Sequence, residues 1–320
     1  MASHRARHPE RLERGHPFRQ WKTWQIPGTS LTLTGYSRSN DKTFFTIPEL
    51  ACAIDAGLYE GFSVDTVLLT HTHHDHSYDI EFLATEADGR KIYAPAESIE
   101  YLERYIVSKG ELNFHSPYDR SRARSYVLQG VRDGDRLELG RGGRFVVRVV
   151  ECAHKIPCVG FAFYERKTRL SARFEALKSE LDRAGRGAEF GGIVAKARAS
   201  GETVQERYEE PRFVMLGDTS VVVFERNPWL FEFPVIVTEC TFLDERERAR
   251  AEKVGHVHWG ALAPIVRAHP STTFVLMHFS LRHSDREVVE FFSRDENYCE
   301  NVVVWAHPES VMPEQHQSSK

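Results

Sequence analysis

The apolar run at residues 67–70 ends in His71-Thr72-His73-His74-Asp75-His76. Four imidazoles and a carboxylate within six residues are hard to place on a simple surface turn. Neutral imidazole and carboxylate are the donors that Zn²⁺ favours, and a tight loop lets alternate residues face two adjacent ions. Three further apolar runs each end in a single donor: VVRVVECA before His154, FVMLG before Asp218 and TFVLM before His278. A lone His or Asp after a strand is a weak signal. Repeated at three separate places it implies strands whose C-terminal ends converge on one edge, where α/β proteins build their sites from loops.

Those donors (His71, His73, Asp75, His76, His154, Asp218 and His278) suffice for two ions if one carboxylate bridges them. His74 takes no part in the pattern and reads as a spectator. The rest of the chain supports a layered α/β fold. Strand-like runs lie at 30–36, 43–47, 50–55 and 64–71, then near 126–129, 144–154 and 161–164, and again at 213–218, 235–240, 273–278 and 302–305. Helical periods fall near 97–108, 244–254 and 259–268. Early strands follow one another in hairpin-like succession, so a purely parallel array is not required. No internal repeat is evident.

Composition narrows the class. The chain has 320 residues, with 42 basic and 46 acidic side chains giving a net charge of −4, which argues against bulk nucleic-acid attraction while leaving room for a local basic patch. No apolar run reaches the ~18 residues of a membrane span, so no membrane association is expected. The five cysteines include no CxxC pair and suit a reducing compartment with buried thiols, so the cytoplasm is expected, with a nuclear or organellar location left open. Residues 1–23 are Arg-rich and read as a basic N-terminal tail. A single domain then spans 24–312, and 313–320 forms a C-terminal tail. Within the domain, 165–210 changes character and reads as a charged insertion or arm, with nine basic and five acidic residues over 165–198.

The HxHxDH motif at 71–76, together with the later His, Asp and His, resembles the metallo-β-lactamase fold. The segments His154-Lys155-Ile156-Pro157, Leu216-Gly217-Asp218-Thr219, Glu239-Cys240-Thr241-Phe242 and His278-Phe279-Ser280-Leu281-Arg282 resemble the tRNase Z group of RNA 3′-processing endonucleases within that superfamily. The opening stretch 35–57 is similar to its shorter, plant-type members. The resemblance implies a four-layer αβ/βα sandwich and two Zn²⁺ ions, with Mn²⁺ as the substitute. One ion would be held by His71, His73, His154 and Asp218, the other by Asp75, His76, His278 and Asp218. It also implies that Asp75 orients the attacking water, and that a Glu and His pair, here Glu239 and His256, protonates the leaving oxygen. His258 competes with His256 for that role.

The same resemblance implies a precursor-tRNA substrate, a homodimer, an arm at 165–210 that grips RNA, and an orienting role for Asp55 beside the ligands. The segment departs from the group at Ser77-Tyr78-Asp79, where Gly-rich residues are usual. Arg282 fits either a phosphate contact or a surface ion pair. Two other readings are a hydrolase of small phosphodiesters or cyclic nucleotides, and a catalytically inactive RNA-binding relative. The filled ligand positions weigh against the latter.

Overall fold

A computed structural model of the chain describes residues 6–16, 19–59, 63–85, 89–120 and 124–309. Runs such as VIVTE at 235–239 and TFVLM at 273–277 are apolar on successive residues. Strand geometry sends successive side chains to opposite faces, so such strands must be covered on both sides. The chain achieves this with two sheets.

The first sheet has eight strands in chain order: β1 (Glu10–His16), β2 (Arg19–Gln25), β3 (Thr32–Arg38), β4 (Lys42–Ile47), β5 (Cys52–Ile54), β6 (Thr66–Leu68), β7 (Arg90–Pro95) and β8 (Tyr126–Val131). Pairing is antiparallel from β1 to β5 and parallel from β5 to β8. The second has seven, also in chain order: β9 (Arg136–Leu139), β10 (Phe145–Glu151), β11 (Val159–Leu170), β12 (Gln205–Met215), β13 (Val235–Glu239), β14 (Thr273–Met277) and β15 (Val302–Val304). It repeats the scheme, antiparallel from β9 to β12 and parallel from β12 to β15.

The helices are α1 (His74–Ser77), α2 (Ile80–Thr85), α3 (Ile99–Phe114), α4 (Ala172–Arg183), α5 (Phe190–Ala199), α6 (Val222–Arg226), α7 (Arg248–Val254), α8 (Trp259–Ala268) and α9 (Asp285–Ser293). The sheets bury Phe45, Leu68, Phe161, Val237, Met277 and Trp305 between them. On the outer face of the first sheet, Val67 and Ile92 pack with Leu83 of α2 and with Leu102 and Ile106 of α3. On that of the second, Val214 and Leu276 pack with Leu262 of α8 and with Val288 and Phe292 of α9. Each buried Val, Leu, Ile or Phe contributes about 1.5–3 kcal/mol by leaving water. The result is the expected four-layer sandwich of helices, two sheets and helices. Among the described residues no helix is long and apolar enough to cross a membrane.

The N-terminal boundary is corrected. Much of the segment read as a tail is structure: β1 and β2 form the first hairpin, Ala6 is buried, and Arg7 bridges to Val303 of β15. The reason lies far along the chain. Trp21 packs edge-on against Phe44 with ring centroids 5.6 Å apart, and Lys22 is buried against Asp285 at 2.9 Å. A charged residue paired in the interior looks like a solvated one in sequence. The C-terminal tail at 313–320 lies outside the described residues.

Segment 165–210 is built on β11 and β12. These strands pair from Phe161 and Met215 out to Leu170 and Gln205, while β10 stops pairing with β11 at Glu165. The outer part is thus a two-stranded ribbon that carries α4 and α5, which close over a small core of Phe174, Ala197 and Val204. The ribbon pairs its own charges: Lys167 with Glu210, Arg169 with Glu206 and Arg173 with Glu202, at 2.5–2.7 Å. Over the whole of 165–210 there are ten basic and nine acidic residues. The basic excess of four counted over 165–198 therefore shrinks to one once the return strand is included.

Candidate metal centre and its surroundings

β6 and β14 each end in a loop carrying donors, as do β10 and β12, and the four loops meet at one edge of the sandwich. There Nε2 of His71 lies 3.1 Å from Nδ1 of His73, which is itself 3.1 Å from Nε2 of His154, while Oδ2 of Asp218 is 3.7 Å from His71 Nε2. Beside them, Nε2 of His76 lies 3.2 Å from Nε2 of His278, and Oδ2 of Asp75 is 3.3 Å from His278 and 3.8 Å from His76. Asp218 joins the two sets, with Oδ1 3.4 Å from His76 Nε2 and Oδ2 3.6 Å from His278 Nε2. All seven ligand candidates come together.

The spacing fits metal ions. Nitrogen or oxygen donors about 2.0–2.1 Å from a tetrahedral ion sit roughly 3.3 Å from one another. A second observation agrees: Oδ1 of Asp218 is buried and accepts no hydrogen bond. A buried carboxylate oxygen without a donor is costly unless a cation faces it.

The orientation of four of the five rings is fixed from behind. His76 Nδ1 donates to Asp55 Oδ2 at 2.8 Å, and Asp55 Oδ1 accepts from the N–H and hydroxyl of Thr70, both at 2.8 Å. His154 Nδ1 donates to the Gly255 carbonyl at 2.9 Å. Thr70 Oγ1 stands 3.0 Å from His71 Nδ1, and Thr241 Oγ1 stands 3.0 Å from His278 Nδ1. Such partners set the tautomer and leave the other nitrogen for a metal. His278 and Asp55 hold left-handed backbone, φ 61° and 63°, conformations that cost a non-glycine residue energy and cluster at functional sites. Gly57 must be glycine, because a Cβ there would come within 1.8 Å of the Asp75 carbonyl oxygen.

The protonation states suit coordination. Burial pushes the imidazoles of His71, His73 and His154 below their usual range, leaving neutral rings. Burial works against ionising Asp75 and Asp218, but His278 and His76 hold both carboxyls below the ordinary range. His76 runs the other way: against its burial, Asp218 and Asp55 pull it well up. Two anions on one buried ring is an excess that a cation would neutralise.

Glu239 is fully buried at the end of β13. Its Oε1 accepts from His256 Nδ1 at 2.7 Å and Thr219 N at 2.8 Å, and its Oε2 from Thr241 Oγ1 at 2.6 Å and Val257 N at 3.1 Å. His256 sits at the edge of the donor cluster, its ring 5.0 Å from that of His154 and its Nδ1 3.8 Å from Asp218 Oδ2. Burial lowers its pKa, yet Glu239 and then Asp218 carry it up to about 9. His258 is occupied elsewhere. Its Nδ1 caps α8 by accepting from Gly260 N at 3.0 Å, and its Nε2 meets the Asp244 carbonyl at 3.0 Å. Of the two candidates, the structure places His256 at the donor cluster. His74 is exposed against Tyr78, away from the donors. Arg282 pairs with Glu247 and lines a cavity of about 570 Å³ with Asn40, Thr241, Arg250 and His256.

Sequence reasoning missed Thr241, which links Glu239 to His278, and the Asn40 N–H, which donates to Asp75 Oδ2 at 2.9 Å. Thr70 had a signal, standing directly before His71. A backbone donor such as Asn40 leaves none.

The chain is similar to several known proteins. The beta-lactamase superfamily domain matches residues 58–172. The chloroplastic tRNase Z TRZ2 of Arabidopsis thaliana is 25% identical over 276 residues, covering 82% of this chain and 71% of the relative. tRNase Z TRZ1 of the same plant is 24% identical over 282 residues, covering 85% and 92%. The chain thus resembles tRNase Z proteins and carries a stretch similar to the beta-lactamase superfamily domain. Ribonuclease Z of Haloarcula marismortui is also similar, 26% identical over 249 residues that cover 70% of this chain and 72% of that one. Among solved structures, the metallo-beta-lactamase fold protein YhfI from Bacillus subtilis superposes with a TM-score of 0.48 at 14% identity, covering 86% of this chain and 88% of that one. The short form of human tRNase Z does so with a TM-score of 0.46 at 16% identity, covering 88% and 92%.

Proposed function

We propose that the protein is a metal-dependent phosphodiesterase that cuts precursor tRNA at its 3′ side, working in the cytoplasm, where free buried thiols persist. The observation that carries this reading is two donor sets with Asp218 within 3.4–3.7 Å of histidines in both, and His256 backed by Glu239 at their edge. His71, His73, His154 and Asp218 would hold one ion, and Asp75, His76, His278 and Asp218 the other. The nitrogen and oxygen donors suit Zn²⁺ first and Mn²⁺ as its substitute. Bound there, the metals supply positive charge to the phosphate and make water more acidic.

The remaining steps belong to the chain. Asp75 keeps 13% of its side chain open where Asp218 keeps 2%, so water reaches Asp75, and its carboxylate orients that water toward phosphorus. As the water sheds a proton to solvent and the new P–O bond forms, the bond to the 3′ oxygen of the tRNA breaks, and that oxygen needs a proton. His256, its Nδ1 held by Glu239, delivers one from Nε2 and returns to its neutral form. The near neutrality of the 165–210 arm makes its grip on RNA one of shape and individual contacts rather than bulk charge.

The test is turnover of a 3′-extended precursor tRNA beside bis(p-nitrophenyl) phosphate, with and without Zn²⁺ or Mn²⁺. Metal-dependent cleavage of the RNA at its 3′ side supports the reading. Hydrolysis of the small ester alone moves the substrate to small phosphodiesters, and silence on both with metal bound favours an RNA-binding relative.

A further inference from the structure

Directly after α1, which carries Asp75 and His76, stands Tyr78. Its side chain is partly exposed, and its carbonyl is fixed by the Tyr105 hydroxyl at 2.9 Å. Two ammonium groups lie over its ring: Lys42 Nζ is 3.6 Å from the ring centroid and Lys109 Nζ 4.7 Å. Lys42 opens β4, just beyond the turn whose Asn40 N–H donates to Asp75. Lys109 comes from α3. Three elements thus bring two cations onto one aromatic ring beside the donor cluster.

Neither ammonium has a described carboxylate within 4 Å, and the charge of Asp79 reaches both from farther off. Asp41 takes Arg19 at 2.6 Å and the Tyr36 hydroxyl at 2.8 Å, Asp79 takes the Tyr59 N–H at 2.9 Å, and Asp75 takes Asn40 and His278. Both lysines are partly buried. A half-buried cation whose counterions lie beyond contact distance regains only part of the water it loses, and a bound anion would supply the rest. The Tyr78 ring holds the two ammoniums in place in advance, through attraction of each cation to its face.

Resting on the nuclease reading above, we propose that Lys42, Tyr78 and Lys109 form a phosphate clamp for the RNA backbone flanking the scissile bond. A polyanion whose scissile phosphate lies at the donor cluster presents its neighbouring phosphates within reach of the rim, and two point charges on a fixed ring grip one without reading sequence.

The test compares the wild-type chain with Lys42→Gln plus Lys109→Gln, using a fluorescent 3′-extended precursor tRNA in anisotropy titrations at several salt concentrations. The double variant should bind about tenfold more weakly, and its plot of log affinity against log salt should be shallower by roughly one, since one phosphate contact is lost. The loss in kcat/KM on the RNA should exceed that on bis(p-nitrophenyl) phosphate at least tenfold. Tyr78→Phe, which keeps the ring, should retain binding, whereas Tyr78→Ala should follow the double variant. Unchanged affinity and salt slope, or equal losses on both substrates, would overturn the clamp. A wild-type protein that binds the RNA but does not cut it would remove the nuclease reading, and the clamp would still stand or fall on the affinities. A wild-type protein that does not bind it would remove the clamp.

Discussion

Asp285 is the carboxylate whose loss should be felt furthest. It is buried at the first turn of α9, paired with Lys22 of β2 at 2.9 Å and Arg38 of β3 at 2.7 Å, and it accepts the His307 N–H at 3.0 Å. Both cations are buried, with side chains 2% and 1% exposed. Arg38 also donates to the carbonyls of Ser280, at 2.8 Å, and His283, so the cluster ties the loop after His278 to the first sheet. Asp285→Asn keeps the volume but leaves two interior cations facing a neutral amide. Removing one partner of a buried pair costs about 3–5 kcal/mol, which for a chain of this length lowers Tm by roughly 4–8 °C. The pH dependence carries the same information. Burial opposes ionisation, but Lys22 and Arg38 hold the carboxyl down at about 2. A pKa lower in the folded than in the unfolded state stabilises above the unfolded value, near 4, and that stability is lost as pH falls toward 2. The loss amounts to about 2–3 kcal/mol. Urea titrations at pH 7, 4, 3 and 2 should show the wild-type advantage over Asp285→Asn shrinking across that window. A variant within 1 °C of wild type at pH 7, or a constant gap from pH 4 to 2, would refute the reasoning.

The other predictions concern the site. Asp75→Ala should abolish turnover of bis(p-nitrophenyl) phosphate while the far-UV circular dichroism spectrum stays as in wild type; retained turnover would sink the proposed role of Asp75. His256→Ala should lower kcat on precursor tRNA by about 10²–10⁴, whereas His258→Ala should cost about 1 kcal/mol of stability through the lost helix cap and little kcat. The reverse ranking would return the proton-donor role to His258. Replacing 171–204 by a short turn should impair precursor-tRNA cleavage and spare the small ester, and equal loss on both would count against the arm as an RNA grip.

Much of this site can be read from the chain because its donors directly follow buried strands. A run that is apolar on both faces must be interior, so whatever polar group follows it stands at the rim of the sheet. That made His71, His154, Asp218 and His278 legible together. The first hairpin was not, because Lys22 is interior only by virtue of Asp285, and no local pattern announces a partner so distant. β7 (RKIYAP) was hidden likewise: Arg90 is buried because its guanidinium donates to the carbonyls of Val64, at 2.7 Å, and Leu83. α9 went unread although Ser284 and Glu287 form a capping box ahead of its apolar face. The arm's charge misled for a different reason. Its acids lie on the return strand, opposite the cations they neutralise, and a window closed at 198 omits them.

The central claim is that two metal ions held by these seven side chains drive RNA cleavage. It is tested most directly by metal analysis of the purified protein together with cleavage of a 3′-extended precursor tRNA, before and after chelation and after Zn²⁺ is restored. The account predicts close to two metal ions per chain, loss of cutting with their removal and its return with Zn²⁺. Full RNA cleavage by metal-free protein, or two bound metals without hydrolysis of any phosphodiester, would contradict it.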